Sequence, residues 1–223
     1  MNAAVISFDA THLTLMPSGA LWWPDERLLA VGDLHLGKAE RIARRGGGML
    51  PPYETRDTLV RLEMVVRATN PAIVVSLGDA FDDLGAARAL DDDVHEMICR
   101  LAAGRRFIWV AGNHDPGPVD LPGTCLAELS LGSLSFRHIA DRTAGSGEIS
   151  AHYHPKFRSR LRGQYIARPC FIVGNSRLIL PAFGTYTGGL DATSPVFERL
   201  MGPEPVAYLT GKRITKLPLR LPA

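Results

Sequence analysis

The sequence has little cysteine, no long apolar run and no excess of either charge, and each absence narrows what the chain can be. Its three cysteines, Cys99, Cys125 and Cys170, are odd in number, far apart and outside any C-x-x-C spacing. That excludes a disulfide framework and a zinc knuckle. No apolar stretch approaches the ~18 residues needed to cross a bilayer, and Asp9 interrupts an N-terminus that lacks a basic region. These features predict a cytoplasmic protein with no membrane contact. The formal charge of +2 and a pI near 8.5 permit an anionic substrate without demanding one. With 223 residues, 46% of them hydrophobic and 22% charged, the chain can build one sizeable core but hardly two. One domain over residues 1–223 is expected, without internal repeat or low-complexity segment.

What is present is a regular alternation of elements. Between Ile6 and Val31, short apolar runs separated by Pro17-Ser18-Gly19 and Pro24-Asp25 read as strands joined by tight turns. Leu28–Val31, Ala72–Leu77 and Phe107–Val110 are predominantly apolar runs without alternation, as expected of strands covered on both faces. Between them, Thr55–Ala68 places Leu59, Leu62, Val65 and Val66 at helical spacing, with Asn70-Pro71 as a stop. A second helix is predicted from Asp91, Asp92 or Asp93, burying Val94, Met97, Ile98 and Leu101. The second half reads as strands at Leu131–Ile139, Cys170–Val173, Arg177–Leu180 and Val206–Leu209, with a hairpin turn at Gly174-Asn175. Trp22, Trp23 and Trp109 are assigned to the core or an interface.

The chemistry-bearing residues follow this pattern. Each buried strand ends in a glycine and then a metal-ligand residue type: Gly32-Asp33, Gly78-Asp79 and Gly112-Asn113. In an open α/β sheet the carboxyl ends of strands share one rim, where ligands collect. A single Gly-Asp pair is more often an ordinary turn. Of seven histidines, however, His35, His114, His138, His152 and His154 sit at strand ends or in the loops that follow. In Asp33-Leu34-His35 and His152-Tyr153-His154, alternate residues of an extended segment would project to one side.

This order of motifs, Gly-Asp-x-His, Gly-Asp, Gly-Asn-His-Asp, His, then His-x-His, resembles the calcineurin-like metallophosphoesterase superfamily. More narrowly, Gly32-Asp33-Leu34-His35-Leu36-Gly37-Lys38, Pro51-Pro52-Tyr53-Glu54-Thr55, Ala151-His152-Tyr153-His154-Pro155-Lys156 and Leu180 to Gly189 resemble the bacterial ligase-associated DNA damage response phosphoesterases of the PdeM type. The resemblance implies a four-layer α/β/β/α sandwich with two central mixed sheets. It implies one divalent cation held by Asp33, His35, Asp79 and His154, and a second held by Asp79, Asn113, His138 and His152. Asp79 is the shared ligand because a carboxylate has lone pairs for two cations. Two cations ~3.5–4 Å apart would clamp phosphate oxygens and lower the pKa of a bridging water, which attacks phosphorus in line. His114 is then the phosphate-facing histidine, with Asp115 expected to orient it; the competing reading of Asp115 is a turn acid before Pro116. His138 could equally be a half-buried structural histidine.

This sequence departs from the family in two places. Ala151 stands where the family has glycine, which leaves both imidazoles. Asp82 stands where relatives tend to carry histidine; an outer-shell carboxylate is one reading, but a loop or helix-capping acid is favoured. Ligands without thiolate suit Mn²⁺, with iron or zinc as alternatives. Lys38, Arg41, Arg44, Arg45, Arg158, Arg160 and Arg162 are candidate phosphate contacts, though such runs are more often solvated faces. The expected activity is that of a phosphodiesterase, and the resemblance implies a nuclease linked to DNA repair, with a phosphodiester such as DNA as substrate and repair proteins (ligase, helicase, exonuclease) as partners. A phosphomonoesterase or small-nucleotide phosphodiesterase would use the same core, and a non-catalytic scaffold is the reading from another class.

Overall fold

The computed structural model describes residues 2–48, 50–115, 121–161 and 163–219. Seven strands form the first sheet, in sequence order: β1 (Ala4–Phe8), β2 (Thr11–Leu15), β3 (Leu21–Trp23), β4 (Leu28–Gly32), β5 (Ile73–Leu77), β6 (Arg106–Val110) and β7 (Thr124–Leu126). The first four are an antiparallel meander, and β4 to β7 run parallel. The crossovers carry α1 (Lys38–Arg44), α2 (Glu54–Thr69), α3 (Leu84–Arg88) and α4 (Asp92–Ala102). Helix α2 stops where expected, with Asn70 in a left-handed conformation ahead of Pro71.

The second sheet is built from β8 (Leu129–Leu131), β9 (Leu134–Phe136), β10 (Glu148–Ser150), β11 (Lys156–Leu161), β12 (Gln164–Val173), β13 (Arg177–Ile179), β14 (Val206–Leu209) and β15 (Thr215–Pro218). Its order is β15-β14-β12-β13-β10-β9-β8, with β11 paired to β12. Gly174 closes the β12–β13 hairpin as expected, its N–H donating to Arg177 O at 2.9 Å. Leu131–Ile139 is not one strand. Gly132 takes φ 57° and turns the chain between β8 and β9, so that Arg137-His138 lies past the strand end.

Strand alternation produces four layers. From β4, Leu28 and Ala30 point into a core shared with Phe136, Ile149, Phe171 and Leu178 of the second sheet. Leu29 and Val31 point the other way, with Val74, Phe107 and Trp109, onto Leu59, Leu62, Val94 and Ile98 of α2 and α4. The outer face of the second sheet, including Cys170, Ile172 and Ala207, packs on α5 (Pro195–Met201) through Phe197, Leu200 and Met201. The tryptophans serve these cores: Trp23 in the first, Trp109 and the half-buried Trp22 in the second. Among the described residues no helix is long and apolar enough to cross a membrane.

Candidate metal centre

The loops that leave β4 and β5 continue side by side. His35 N–H donates to Asp79 O and Leu36 N–H to Ala80 O, both at 2.9 Å, and Asp82 N–H returns to Leu36 O at 3.0 Å. This zipper sets the Asp33–His35 loop against Asp79–Asp82. The expectation that Asp33, His35, His152 and His154 lie in extended segments fails. All four have positive φ, of 46°, 45°, 65° and 45°, as does Asp79 at 43°. Left-handed backbone is uncommon outside glycine and concentrates at functional sites.

Close packing explains the glycines. A Cβ on Gly78 would fall 2.4 Å from the His138 ring, and one on Gly112 would fall 2.2 Å from both the N and Oδ1 of Asp79. A Cβ on Gly32 would meet Ala151 Cβ at 2.7 Å, so the space left open at Gly32 accommodates the Ala151 methyl.

Three groups of ligand atoms result among the described residues: Asp33, His35 and His154; Asp79, His138 and His152; and His35, Asp82 and His114, which shares His35 with the first. Asp33 Oδ1 is 3.2 Å from His154 Nε2, and Asp79 Oδ2 is 3.3 Å from His138 Nε2. Asp79 Oδ2 also lies 4.0 Å from His35 Nε2, placing it between the first two groups. Backbone amides steady the carboxylates: His152 N–H donates to Asp33 Oδ2 at 3.0 Å and His114 N–H to Asp79 Oδ1 at 2.8 Å.

The imidazoles are oriented from behind. His138 Nδ1 faces Leu77 O at 2.9 Å, leaving Nε2 turned inward. That Nε2 has Asn113 Oδ1 at 2.9 Å and His152 Nδ1 at 3.1 Å as well as Asp79. So many acceptors around one point need a positive charge among them. Without an ion that charge is a proton: burial opposes protonation of His138, yet Asp79 and Asp33 raise its pKa above the ordinary value. His152 is driven the other way, by burial and by His138, toward the neutral form that a ligand needs. Burial would raise Asp79, but His138 and the His114 amide bring it down to about 2. A donor set of carboxylates, imidazoles and an amide oxygen converging in this way fits a pair of divalent cations.

Asp82 lies in the loop between β5 and α3 but is neither a solvated acid nor a helix cap. It is buried, and Oδ1 lies 2.8 Å from His35 Nδ1, with Lys38 Nζ at 3.6 Å and Arg41 Nε on Oδ2. The helix cap is its neighbour Asp83, which accepts from Ala86 N–H at 2.7 Å. Burial acts against ionisation of Asp82, but His35, Lys38 and Arg41 hold its carboxyl far below the usual range. It stands as a carboxylate behind the candidate ligand His35.

Asp115 does not orient His114. His114 Nδ1 lies 2.8 Å from the Asp82 carbonyl oxygen, while Asp115 Oδ2 accepts from Phe81 N–H at 3.1 Å. The two neighbours part here, the His114 side chain being 34% exposed and Asp115 buried in the protein at 5% exposure. Burial, reinforced by the charge of Asp79, pushes the Asp115 carboxyl up to about 6.

The Pro51–Thr55 and Leu180–Gly189 segments brace the first ligand loop. Glu54 Oε1 accepts from Ala39 N–H at 3.0 Å and Thr55 Oγ1 from Gly37 N–H at 2.8 Å. A Cβ on Gly184 would fall 2.1 Å from Leu34 O. An open cleft of about 300 Å³ borders Asn113 and His138, lined also by Ala111, Arg137 and Ile139. A cavity of about 320 Å³ between α1, α2 and α4 holds none of the candidate ligands. Of the basic residues, Lys38, Arg41 and Arg44 pair with Asp82, Asp83 or Glu40. Arg162 lies outside the described residues.

The family model for calcineurin-like phosphoesterase matches residues 26–186. The crystal structure of Pseudomonas putida nuclease MPE is similar with a TM-score of 0.74 and 27% identity, over 97% of this chain and 100% of that one. The structure of Yfce, a phosphoesterase from E. coli, aligns over 85% of this chain and 97% of that one at 11% identity and a TM-score of 0.42. Among curated proteins no match was found.

Proposed function

Because this chain belongs to the calcineurin-like phosphoesterase family and is a metal-dependent hydrolase, we propose that it is a phosphodiesterase cleaving nucleic acid by in-line displacement at phosphorus. The observation that carries the proposal is the meeting of the Asp33–His35–His154 and Asp79–His138–His152 groups at Asp79, with His114 Nε2 4.0 Å from Asp79 Oδ2. In this reading Asp33, His35 and His154 hold one divalent cation, Asn113, His138 and His152 the other, and Asp79 both. When bound, the pair supplies Lewis-acid charge at the phosphate and a water acidic enough to act as nucleophile. Mn²⁺ is the proposed metal, on the strength of the mixed oxygen and nitrogen donors.

The chain's own groups do the rest. The Asp82 carboxylate, 2.8 Å from His35 Nδ1, offers that ring an ion-pair partner that leaves Nε2 for a cation, while for His138 the Leu77 carbonyl does so through a hydrogen bond. His114, fixed through Nδ1 by the Asp82 carbonyl, presents Nε2 at 4.0 Å from Asp79 Oδ2, where it can protonate or stabilise a leaving oxygen. The choice of a diester is supported by the similarity to a nuclease and by the open cleft beside Asn113 and His138. A DNA-repair setting rests on the sequence resemblance alone, and the single-domain reading on chain length.

The test is to strip metal, restore Mn²⁺ and other divalent ions one at a time, and compare a generic phosphodiester, a phosphomonoester and single- and double-stranded DNA. Mn²⁺-dependent diester cleavage that falls at least ~10²–10³-fold in Asp79→Ala is expected. Preference for the monoester, or no turnover with any ion, would overturn the proposal.

A further inference from the structure

Immediately after His154 the chain leaves the metal centre in a two-stranded ribbon. β11 pairs with Gln164 to Pro169 of β12, whereas Cys170 to Val173 of the same strand pair with β14 in the second sheet. Beyond its root, where Lys156 bridges Asp191, the ribbon has no other strand partner among the described residues. A bare two-stranded ribbon is marginally stable, so its length invites a reason.

Its composition is one-sided. From Lys156 to Pro169 the sequence holds Lys156, Arg158, Arg160, Arg162 and Arg168 and no acid. Lys156 Nζ and Arg158 Nη2 donate to the carbonyls of Thr187 and Gly189, at 2.7 and 3.0 Å, and neither pairs with a carboxylate among the described residues. This contrasts with Lys38, Arg41 and Arg44, whose charges are consumed by neighbouring carboxylates. The register sets Arg158 opposite Ala167 and Arg160 opposite Tyr165, so two cations and an aromatic ring share one face. Arg158 and Arg160 are exposed, and Tyr165 is 64% exposed.

Charged residues on a free strand edge also prevent aggregation, but either sign serves that end and no exposed aromatic is needed. We propose that this ribbon is a binding arm for an extended single strand of nucleic acid, with Arg158 and Arg160 taking successive phosphates and Tyr165 stacking on an unpaired base. Same-face side chains on a strand repeat every ~6.6 Å, close to the phosphate spacing of an extended strand. Cations tracking the backbone beside an aromatic platform are how proteins hold single strands without reading sequence. The ribbon's root two residues from His154 would deliver a bound strand to the metal centre. The inference rests on the phosphodiesterase reading given above.

The experiment uses the full chain and the variants Arg160→Glu and Tyr165→Ala. Binding of a short fluorescent single-stranded oligonucleotide is followed by anisotropy in chelator, across a salt series. Turnover of bis(p-nitrophenyl) phosphate is followed with Mn²⁺. Arg160→Glu should lower the salt slope by at least ~0.7, and Tyr165→Ala should weaken binding about 5- to 150-fold. Neither should change turnover of the small diester, which does not reach the ribbon. Unchanged oligonucleotide affinity in both variants, a wild type that does not bind the strand, or equal binding of duplex with no effect of Tyr165→Ala would overturn the arm. Loss of small-diester turnover in the wild type would instead overturn the phosphodiesterase reading, so the two failures are distinct.

Discussion

Replacing Asp115 with asparagine should stabilise the metal-free protein at neutral pH and do nothing for it in acid. The carboxyl is 5% exposed and has one oxygen, Oδ1, without a partner, while Oδ2 accepts from Phe81 N–H at 3.1 Å. Asparagine can keep that acceptor and carries no charge. The rise in pKa from 3.8 to about 6 corresponds to about 3 kcal/mol at ~1.4 kcal/mol per unit. Since the folded value lies above the unfolded one, the native state binds the proton more tightly. Its favourable contribution is complete below pH 3.8 and is lost as pH rises through about 6. Urea unfolding of wild type and Asp115→Asn between pH 4 and 7.5 should therefore give curves that nearly meet in acid and separate by up to about 3 kcal/mol at the neutral end. Added Mn²⁺ should narrow the gap, because a nearby cation favours the ionised carboxylate. A pH-independent difference, or a variant less stable at pH 7.5, would refute the reasoning.

Other perturbations test the site's construction. Asp82→Asn should weaken Mn²⁺ binding ~10- to 100-fold by isothermal calorimetry, because it loosens His35 and leaves Lys38 and Arg41 uncompensated. Unchanged affinity would show that His35 is held by its backbone alone. Gly112→Ala places a methyl 2.2 Å from Asp79 N and Oδ1; it should cost ~1–3 kcal/mol in thermal or urea unfolding and reduce metal affinity as well. Metal uptake should release protons, since Asp79 and Asp33 favour a proton on His138 that a cation must displace. Calorimetry in buffers of different ionisation enthalpy reads that release directly, and affinity should fall as pH is lowered.

The layers and the rim were legible because their signals are local. Apolar runs without alternation marked β4, β5 and β6, and a residue type capable of holding a metal followed the glycine at each strand end. Asp82 was underrated for the opposite reason. Its role depends on His35 and Arg41, 47 and 41 residues away in sequence, meeting it in space, and the sequence hint was only that relatives tend to carry histidine at that position. Asp115 misled because adjacency to His114 suggested contact, when the two side chains meet different partners. Short α1 and α3, seven and five residues long, carry too few turns to register as periodic. The break inside Leu131–Ile139 rested on one glycine's conformation, which apolar patterning does not report.

The positive φ angles at Asp33, His35, Asp79, His152 and His154 have a bearing on how such a protein evolves. Each left-handed residue costs ~1 kcal/mol or more relative to ordinary backbone, and glycine would relieve it. Selection for chemistry and selection for robustness thus act in opposite directions on the same positions. A lineage released from catalysis would gain stability by drifting to glycine at those sites, and a stabilised scaffold obtained by unguided screening would tend to arrive there inactive.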